Sequence, residues 1–314
     1  MRQPRQHSQG STWLIGYDSP VAASESQGSE AIMPGAQLNW SVHVAPSIPT
    51  EIADLPPDVP RRMWSPITAT LITGERDAVL VDALMTAEQA DRLADWVAAG
   101  GMNLTTVFVT HGHGDHWFGL GTLLERFPGA RAVATPAVVE QMKKQMAPEF
   151  VASFWDKRFP GQIPGRLVAA EPLAGDRLEL EGHDLVVVGL GHTDTDDTTC
   201  LHVPSIGLVV AGDAVYNDVH LYLAESPAEG CRAWLDALDT IAALEPEAVV
   251  AGHKNPDRPD DPKAIAETRR YIHDFEAVAE RTTSTFDLYR GMLELHPGRV
   301  NRGALWGSAR SAKG

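Results

Sequence analysis

His111-Gly112-His113-Gly114-Asp115-His116 is the stretch on which the reading of this chain turns. Three imidazoles and a carboxylate stand within six residues. They directly follow Leu104-Thr105-Thr106-Val107-Phe108-Val109, an apolar run with strand character. Glycines at 112 and 114 permit a tight loop in which alternate side chains converge. His111 and His113 can then face one cation, while Asp115 and His116 face a second. A solvated polar turn is the competing reading of this loop alone.

Downstream, three more donors each close an apolar run. Val186-Val187-Val188-Gly189-Leu190-Gly191 leads to His192, Leu208-Val209-Val210-Ala211-Gly212 to Asp213, and Val249-Val250-Ala251-Gly252 to His253. A glycine precedes each donor, where backbone must turn sharply or pass close to a site. One Gly-His pair is weak evidence; three such donors in this order are strong evidence. Imidazole and carboxylate donors without thiolate suit zinc first, and also iron, manganese or cobalt.

The surrounding pattern is α/β. Ile67–Ile72 alternates like a strand, and Ala78–Val81 is a short apolar run closed by Asp82, with hairpin chemistry at Gly74-Glu75-Arg76-Asp77 between them. Thr86 and Gln89 make a capping-box pattern for a helix ending before Gly100. Strands near 131–134, 185–190, 199–203, 207–211 and 247–251 alternate with helices over 136–147, 228–244 and 262–280. Early hairpins followed by strand–helix alternation fit two mixed sheets packed face to face with helices outside, a four-layer αββα sandwich. Residues 1–65, rich in Pro, Ser and Gly, read as an extended arm that wraps or contacts a neighbour, and 66–314 as the catalytic domain.

The order H-x-H-x-D-H, Gly-His, Gly-Asp, Gly-His resembles the metallo-β-lactamase superfamily, which includes lactonases, glyoxalase II thioesterases and β-lactamases. The resemblance implies one metal site from His111, His113 and His192, a second from Asp115, His116 and His253, and Asp213 bridging two divalent ions. It also implies that Asp82 is the buried aspartate behind the ligands. Tyr216, three residues after Asp213, is similar to the tyrosine of N-acyl homoserine lactone lactonases, which by resemblance donates to the substrate carbonyl or developing oxyanion; packing bulk is the alternative. After His192 the chain reads Thr193-Asp194-Thr195-Asp196-Asp197, where glyoxalase II-like members carry Pro-Gly-His. These acids either hydrogen-bond ligands, recognise a polar substrate or form a solvated loop.

The segment from Met142 to Phe159, with Met146, Phe150, Phe154 and Trp155, reads either as a substrate cover suited to an apolar or aromatic small molecule or as helix core. Lys254 beside His253 would steer an anion or be a surface charge. His183, His202, His220 and His273 read as structural. The two cysteines, Cys200 and Cys231, give no disulfide framework and read as buried packing.

The formal net charge of -16 disfavours a phosphate backbone as partner, so no nucleic acid is expected. No apolar run reaches the roughly 18 residues of a membrane span, and the N-terminus lacks a signal-peptide core, which points to a cytoplasmic chain without a membrane partner. A homodimer is compatible with the pattern. The expected activity is hydrolysis of a lactone, lactam, ester or thioester. In that reaction a hydroxide bridging the ions attacks the carbonyl, and Asp115 or Asp213 passes a proton to the leaving group. The alternatives are a mononuclear iron oxidoreductase resembling persulfide dioxygenases and a hydrolase of small phosphodiesters. A non-catalytic binding protein would be expected to have lost ligands, and none is missing.

Overall fold

The computed structural model describes residues 37–314; the first part of the expected N-terminal arm lies outside the described residues. Two sheets carry the fold. The first holds β1 (Asn39–Ala45), β2 (Ile67–Thr73), β3 (Asp77–Val81), β4 (Asn103–Phe108), β5 (Arg131–Ala134) and β6 (Glu171–Pro172) in that spatial order. β1–β3 pair antiparallel, and β3–β6 pair parallel. The second holds β7 (Arg177–Leu180), β8 (His183–Gly191), β9 (Thr198–Val203), β10 (Leu208–Asn217) and β11 (Ala248–Lys254), antiparallel except for the parallel β10–β11 pair.

Alternation along the strands shows why the sheets stack. In β3, Val79 and Val81 enter the core between the sheets with Phe108, Leu201, Val210 and Val250, while Ala78 and Leu80 point outward. Those outward residues meet α1 (Ala87–Ala99), α2 (Leu120–Arg126) and α3 (Pro136–Gln145) through Leu93, Val97, Leu123 and Val138. In β10, Leu208 and Val210 face inward, and Val209 and Ala211 face the helices of the other side. Strands buried on both faces read as continuous apolar runs, which is the pattern of β10 and β11. The result is the expected sandwich, with helices outside two packed sheets.

Several local readings take their expected form. Thr86 Oγ1 accepts from the Gln89 N–H at 3.2 Å, and Gln89 Oε1 accepts from the Thr86 N–H at 3.1 Å, which closes the capping box. The segment 148–158 holds two single helical turns, α4 (Pro148–Phe150) and α5 (Asp156–Arg158), around a π-helical turn at Val151–Trp155. α6 (Ala228–Ala242) and α7 (Lys263–Arg281) cover the second sheet. α8 (Thr285–Leu295) and α9 (Arg302–Lys313), unanticipated from the pattern, add Leu288, Met292 and Leu305 to that core. Among the described residues no helix is long and apolar enough to cross a membrane.

The segment read as an extended arm is not free along its described length. β1 pairs with β2 from Asn39↔Thr73 to Ala45↔Ile67 and forms the edge of the first sheet. Residues 46–66 then fold back on themselves, with the Thr50 N–H donating to Arg62 O and the Trp64 N–H to Ile48 O. An edge strand has one neighbour and leaves most of its side chains half-exposed, so it carries little hydrophobic signal against a Pro- and Ser-rich background.

Candidate metal centre

The loop after β4 and the ends of β10 and β11 meet where the two sheets open. Among the described residues, two groups of donors each have their ligand atoms within 4.8 Å of one another: His111, His113, Asp194 and Asp213, and Asp115, His116 and His253. Asp213 touches both. Its Oδ1 lies 3.1 Å from His116 Nε2, and its Oδ2 lies 3.1 Å from His253 Nε2 and 4.0 Å from His111 Nε2.

Glycines make this convergence sterically feasible. A Cβ at Gly252 would stand 2.1 Å from Asp213 Oδ1, so only glycine lets β11 pass that close. At Gly212 the backbone adopts a φ of 52°, and the β10–β11 register slips on both sides of it. Such bulges re-aim side chains beside functional sites, and this one turns Asp213 toward the cluster.

The imidazoles are oriented from behind. His116 Nδ1 is 3.0 Å from Asp82 Oδ2, His253 Nδ1 is 2.8 Å from Pro66 O, and His111 Nδ1 is 3.0 Å from Thr110 Oγ1. Each ring therefore turns its Nε2 inward. Asp82 is fixed in turn by the Thr110 N–H at 2.9 Å, so it sits where the resemblance implied. Asp115 Oδ2 accepts from the Trp64 indole N–H at 2.9 Å, a contact supplied by the segment read as an arm.

His192 does not join the others. Its Nδ1 lies 2.6 Å from Asp196 Oδ1 and its Nε2 lies 3.2 Å from Ser226 Oγ, on the side of α6. Gly191, with a φ of 73°, turns the chain there and sends the ring outward. Asp194 takes the place expected of His192: it is fully buried, and its Oδ2 is 2.9 Å from His113 Nδ1. The donor that stands beside His111 and His113 is thus an oxygen two residues after the expected nitrogen. Its sequence signal was the acidic run after Gly-His, which does not say which acid turns inward.

Four buried polar atoms in this cluster, His111 Nε2, His116 Nε2, Asp194 Oδ2 and Asp213 Oδ1, face only other donors of the cluster, in orientations that make no hydrogen bond. Buried polar atoms are rarely left so, and four converging on one spot call for an unseen partner. Imidazole nitrogens facing carboxylate oxygens make that partner a cation, so the donor set fits divalent metal ions. Burial, reinforced by the charge of His116, holds His111 well below its ordinary pKa and so neutral, as a ligand must be. Burial pushes the Asp213 carboxyl up, but the charges of His253 and His116 outweigh it and keep Asp213 ionised.

The remaining expected residues fall into place around the cluster. Tyr216 is buried with its hydroxyl 3.0 Å from Asp213 Oδ2, and burial together with Asp213 holds the phenol well above its ordinary pKa. Phe150, Phe154 and Trp155 line the cavity over the cluster, whereas Met142 is core. Lys254 is neither a surface charge nor aimed at the site: it is buried, with Nζ 2.5 Å from Asp260 Oδ1. Cys200 and Cys231 are buried thiols away from both donor groups, pushed up to about 12 and about 11.

The family model for the metallo-beta-lactamase superfamily matches residues 62–253. Solved structures agree on the fold. A metallo-beta-lactamase family protein from Thermus thermophilus aligns with a TM-score of 0.57 at 20% identity, over 86% of this chain and 91% of its own. A metallo-beta-lactamase from Pontibacter korlensis gives 0.54 at 15% identity, over 76% and 100%. The FIM-1 metallo-beta-lactamase of Pseudomonas aeruginosa, in its mono-zinc form, gives 0.52 at 16% identity, over 75% and 91%. No curated protein matches the sequence significantly. The chain belongs to the metallo-beta-lactamase superfamily.

Proposed function

We propose that this protein is a metal-dependent hydrolase that opens a carbonyl substrate, a lactone, lactam, ester or thioester, with two divalent ions, zinc first among the candidates. The observation that carries the reading is the set of buried donor atoms, four of them making no hydrogen bond, converging from both sheets on either side of Asp213. His111, His113 and Asp194 would hold one ion and Asp115, His116 and His253 the other, with Asp213 between them. When bound, such ions polarise a carbonyl oxygen and lower the pKa of water toward ~7.

The chain's own groups supply the rest. Asp82, Thr110 and the Pro66 carbonyl keep the imidazoles in register, and Trp64 holds one oxygen of Asp115. The Tyr216 phenol keeps its proton and directs it at Asp213 Oδ2; as donor to a developing oxyanion it would turn that one proton to the substrate. Asp115 or Asp213 would first take the proton released by the attacking water and then pass it to the leaving group. The aromatic wall of Trp64, Phe150, Phe154 and Trp155 suits an apolar or aromatic small molecule.

Metal analysis of the purified protein, paired with a panel of lactones, lactams, thioesters and phosphodiesters, tests the proposal. Two ions per chain and turnover on a carbonyl substrate are expected, with His113→Ala and Asp213→Ala each abolishing turnover. Wild-type kcat in either variant refutes the assignment. One observation favours a second reading: His111, His113, Asp194 and Asp213 form a histidine and carboxylate set that contains the two-histidine, one-carboxylate combination of non-haem iron sites. One iron per chain with oxygen consumption would replace hydrolysis by that oxidoreductase chemistry.

A further inference from the structure

The cavity above the cluster has a volume of about 450 Å³, and its walls differ in charge. Near the donors it is acidic, with Asp115, Asp194, Asp213 and Glu225. Elsewhere it is lined by three guanidinium groups, Arg62, Arg158 and Arg310. They come from three separate parts of the chain: the segment before β2, the end of the aromatic segment, and α9. Among the described residues, none of the three is within ion-pair distance of the carboxylates around the metal ligands, and Asp54 is the one acid that meets any of them. Asp54 Oδ1 takes Arg310 at 2.9 Å, while its Oδ2 is 4.0 Å from Arg62.

Arg62 is built in. Its NH2 donates to Gly303 O at 2.7 Å, and its chain lies along α9 over two glycines. A Cβ at Gly303 would stand 2.8 Å from its Cγ, and one at Gly307 would stand 2.9 Å from its NH2. Arg158 stacks its guanidinium 3.5 Å from the Phe154 ring centroid and donates to Phe154 O at 2.9 Å, with no carboxylate partner among the described residues. Burial, then repulsion from Arg62, lowers the pKa of Arg158. Two half-buried cations facing one cavity with so little counter-charge, in a protein of net charge -16, are costly unless an anion completes them. Lys254, the cation adjacent to the metal donors in sequence, is buried against Asp260 and does not line the cavity.

We infer that Arg62, Arg158 and Arg310 form a recognition site for an anionic group, a carboxylate or a phosphate, on the molecule that enters this cavity. Guanidinium forks match both groups with paired hydrogen bonds. Tyr222 joins the two regions: its ring centroid is 6.2 Å from that of His113, and the charge of Arg158 reaches its phenol. On the hydrolase reading above, the substrate is therefore an acid as well as a carbonyl compound, its charge separated from the scissile bond by a short apolar or aromatic spacer.

Binding, read without turnover, tests this separately from the hydrolase reading. The full-length protein as purified is titrated with 3-phenylpropanoate, 2-phenylethyl phosphate and neutral 3-phenylpropanamide, following fluorescence of the cavity tryptophans Trp64 and Trp155. At least one anion should bind about tenfold more tightly than the amide, the worth of one charge-assisted hydrogen bond. Whichever anion binds more tightly identifies the group. Arg158→Gln should remove most of that advantage while leaving amide binding unchanged, and Arg310→Gln, on an exposed helix face, should reduce it without risk to folding. Equal affinity of anions and amide overturns the inference. So does an anion advantage that survives both substitutions, which would assign the anion to the metal ions instead.

Discussion

Gly252→Ala offers the sharpest test of how the cluster is assembled. The added Cβ would lie 2.1 Å from Asp213 Oδ1, 2.7 Å from the Gly212 carbonyl carbon and 2.9 Å from the Asp213 nitrogen. Ordinary contact begins near 3.4 Å, so the carboxylate between the two donor groups must retreat by more than about 1 Å, beyond the ±0.2 Å tolerance of metal–ligand bonds. Two of the three obstacles are backbone and cannot rotate away. Overpacking of this kind costs about 1–3 kcal/mol. A kilocalorie lowers Tm by roughly 2–4 °C in chains of 150–250 residues, so a drop of a few degrees is expected. The larger effect falls on metal: the rise in Tm that added zinc gives the wild type should nearly vanish in the variant. Differential scanning fluorimetry with and without added metal, beside elemental analysis, measures both. Gly129→Ala, where a Cβ meets nothing within 4 Å, is the control and should behave as wild type. If Gly252→Ala retains two ions and the full metal-dependent rise in Tm, then Asp213 does not bridge the donor groups as described.

Asp194→Ala should leave the second donor group intact and lower the metal content from two ions toward one; His192→Ala should keep both, and the opposite pattern in elemental analysis would restore the histidine as ligand. Tyr216→Phe removes one donor proton and should lower kcat about 10²-fold if it serves an oxyanion, with metal content unchanged. A loss of metal at equal kcat per ion would make the phenol a positioning group. His220 is buried against Tyr271 and its pKa is pushed down to about 3 by burial, so the folded state stays neutral where the unfolded chain takes up a proton. Its contribution to stability is whole above pH 6.5 and falls as pH drops toward 3. It loses about 2 kcal/mol by pH 5, and His220→Asn should flatten that part of the urea-unfolding profile.

What the sequence made legible follows from burial. β10 and β11 are covered on both faces, so their apolar runs are continuous, and the donors at their ends could be named from the run and its glycine alone. β1 was hidden because it has a single neighbour, and α9 because its packing face is small residues, Gly303 and Ala309, around Leu305. Six of the seven expected ligands converge, from the loop and short helical turn after β4, the bulge of β10 and the end of β11. His192 follows a left-handed turn at Gly191 and lies apart from them; Gly212 turns the same way before Asp213, so the Gly-donor pattern does not say which side chain is sent inward. Trp64 and Arg62 reach the cavity through a fold-back held by main-chain bonds between residues 48–50 and 62–64, and a Pro-rich composition says nothing of such pairing.

One feature of the donor set bears on how long the molecule lasts. Residues 111–116 follow a strand of one sheet, while Asp194, Asp213 and His253 belong to the other. The halves of the sandwich are joined by apolar packing and by hydrogen bonds such as Thr68 Oγ1 to Ala251 O and Thr199 Oγ1 to Thr110 O, and by no disulfide, both thiols being free. Bound cations would rivet the open end of the seam. On the proposed reading, metal supply would then govern resistance to proteolysis as well as activity, and a metal-free chain would open at the end where the donors converge.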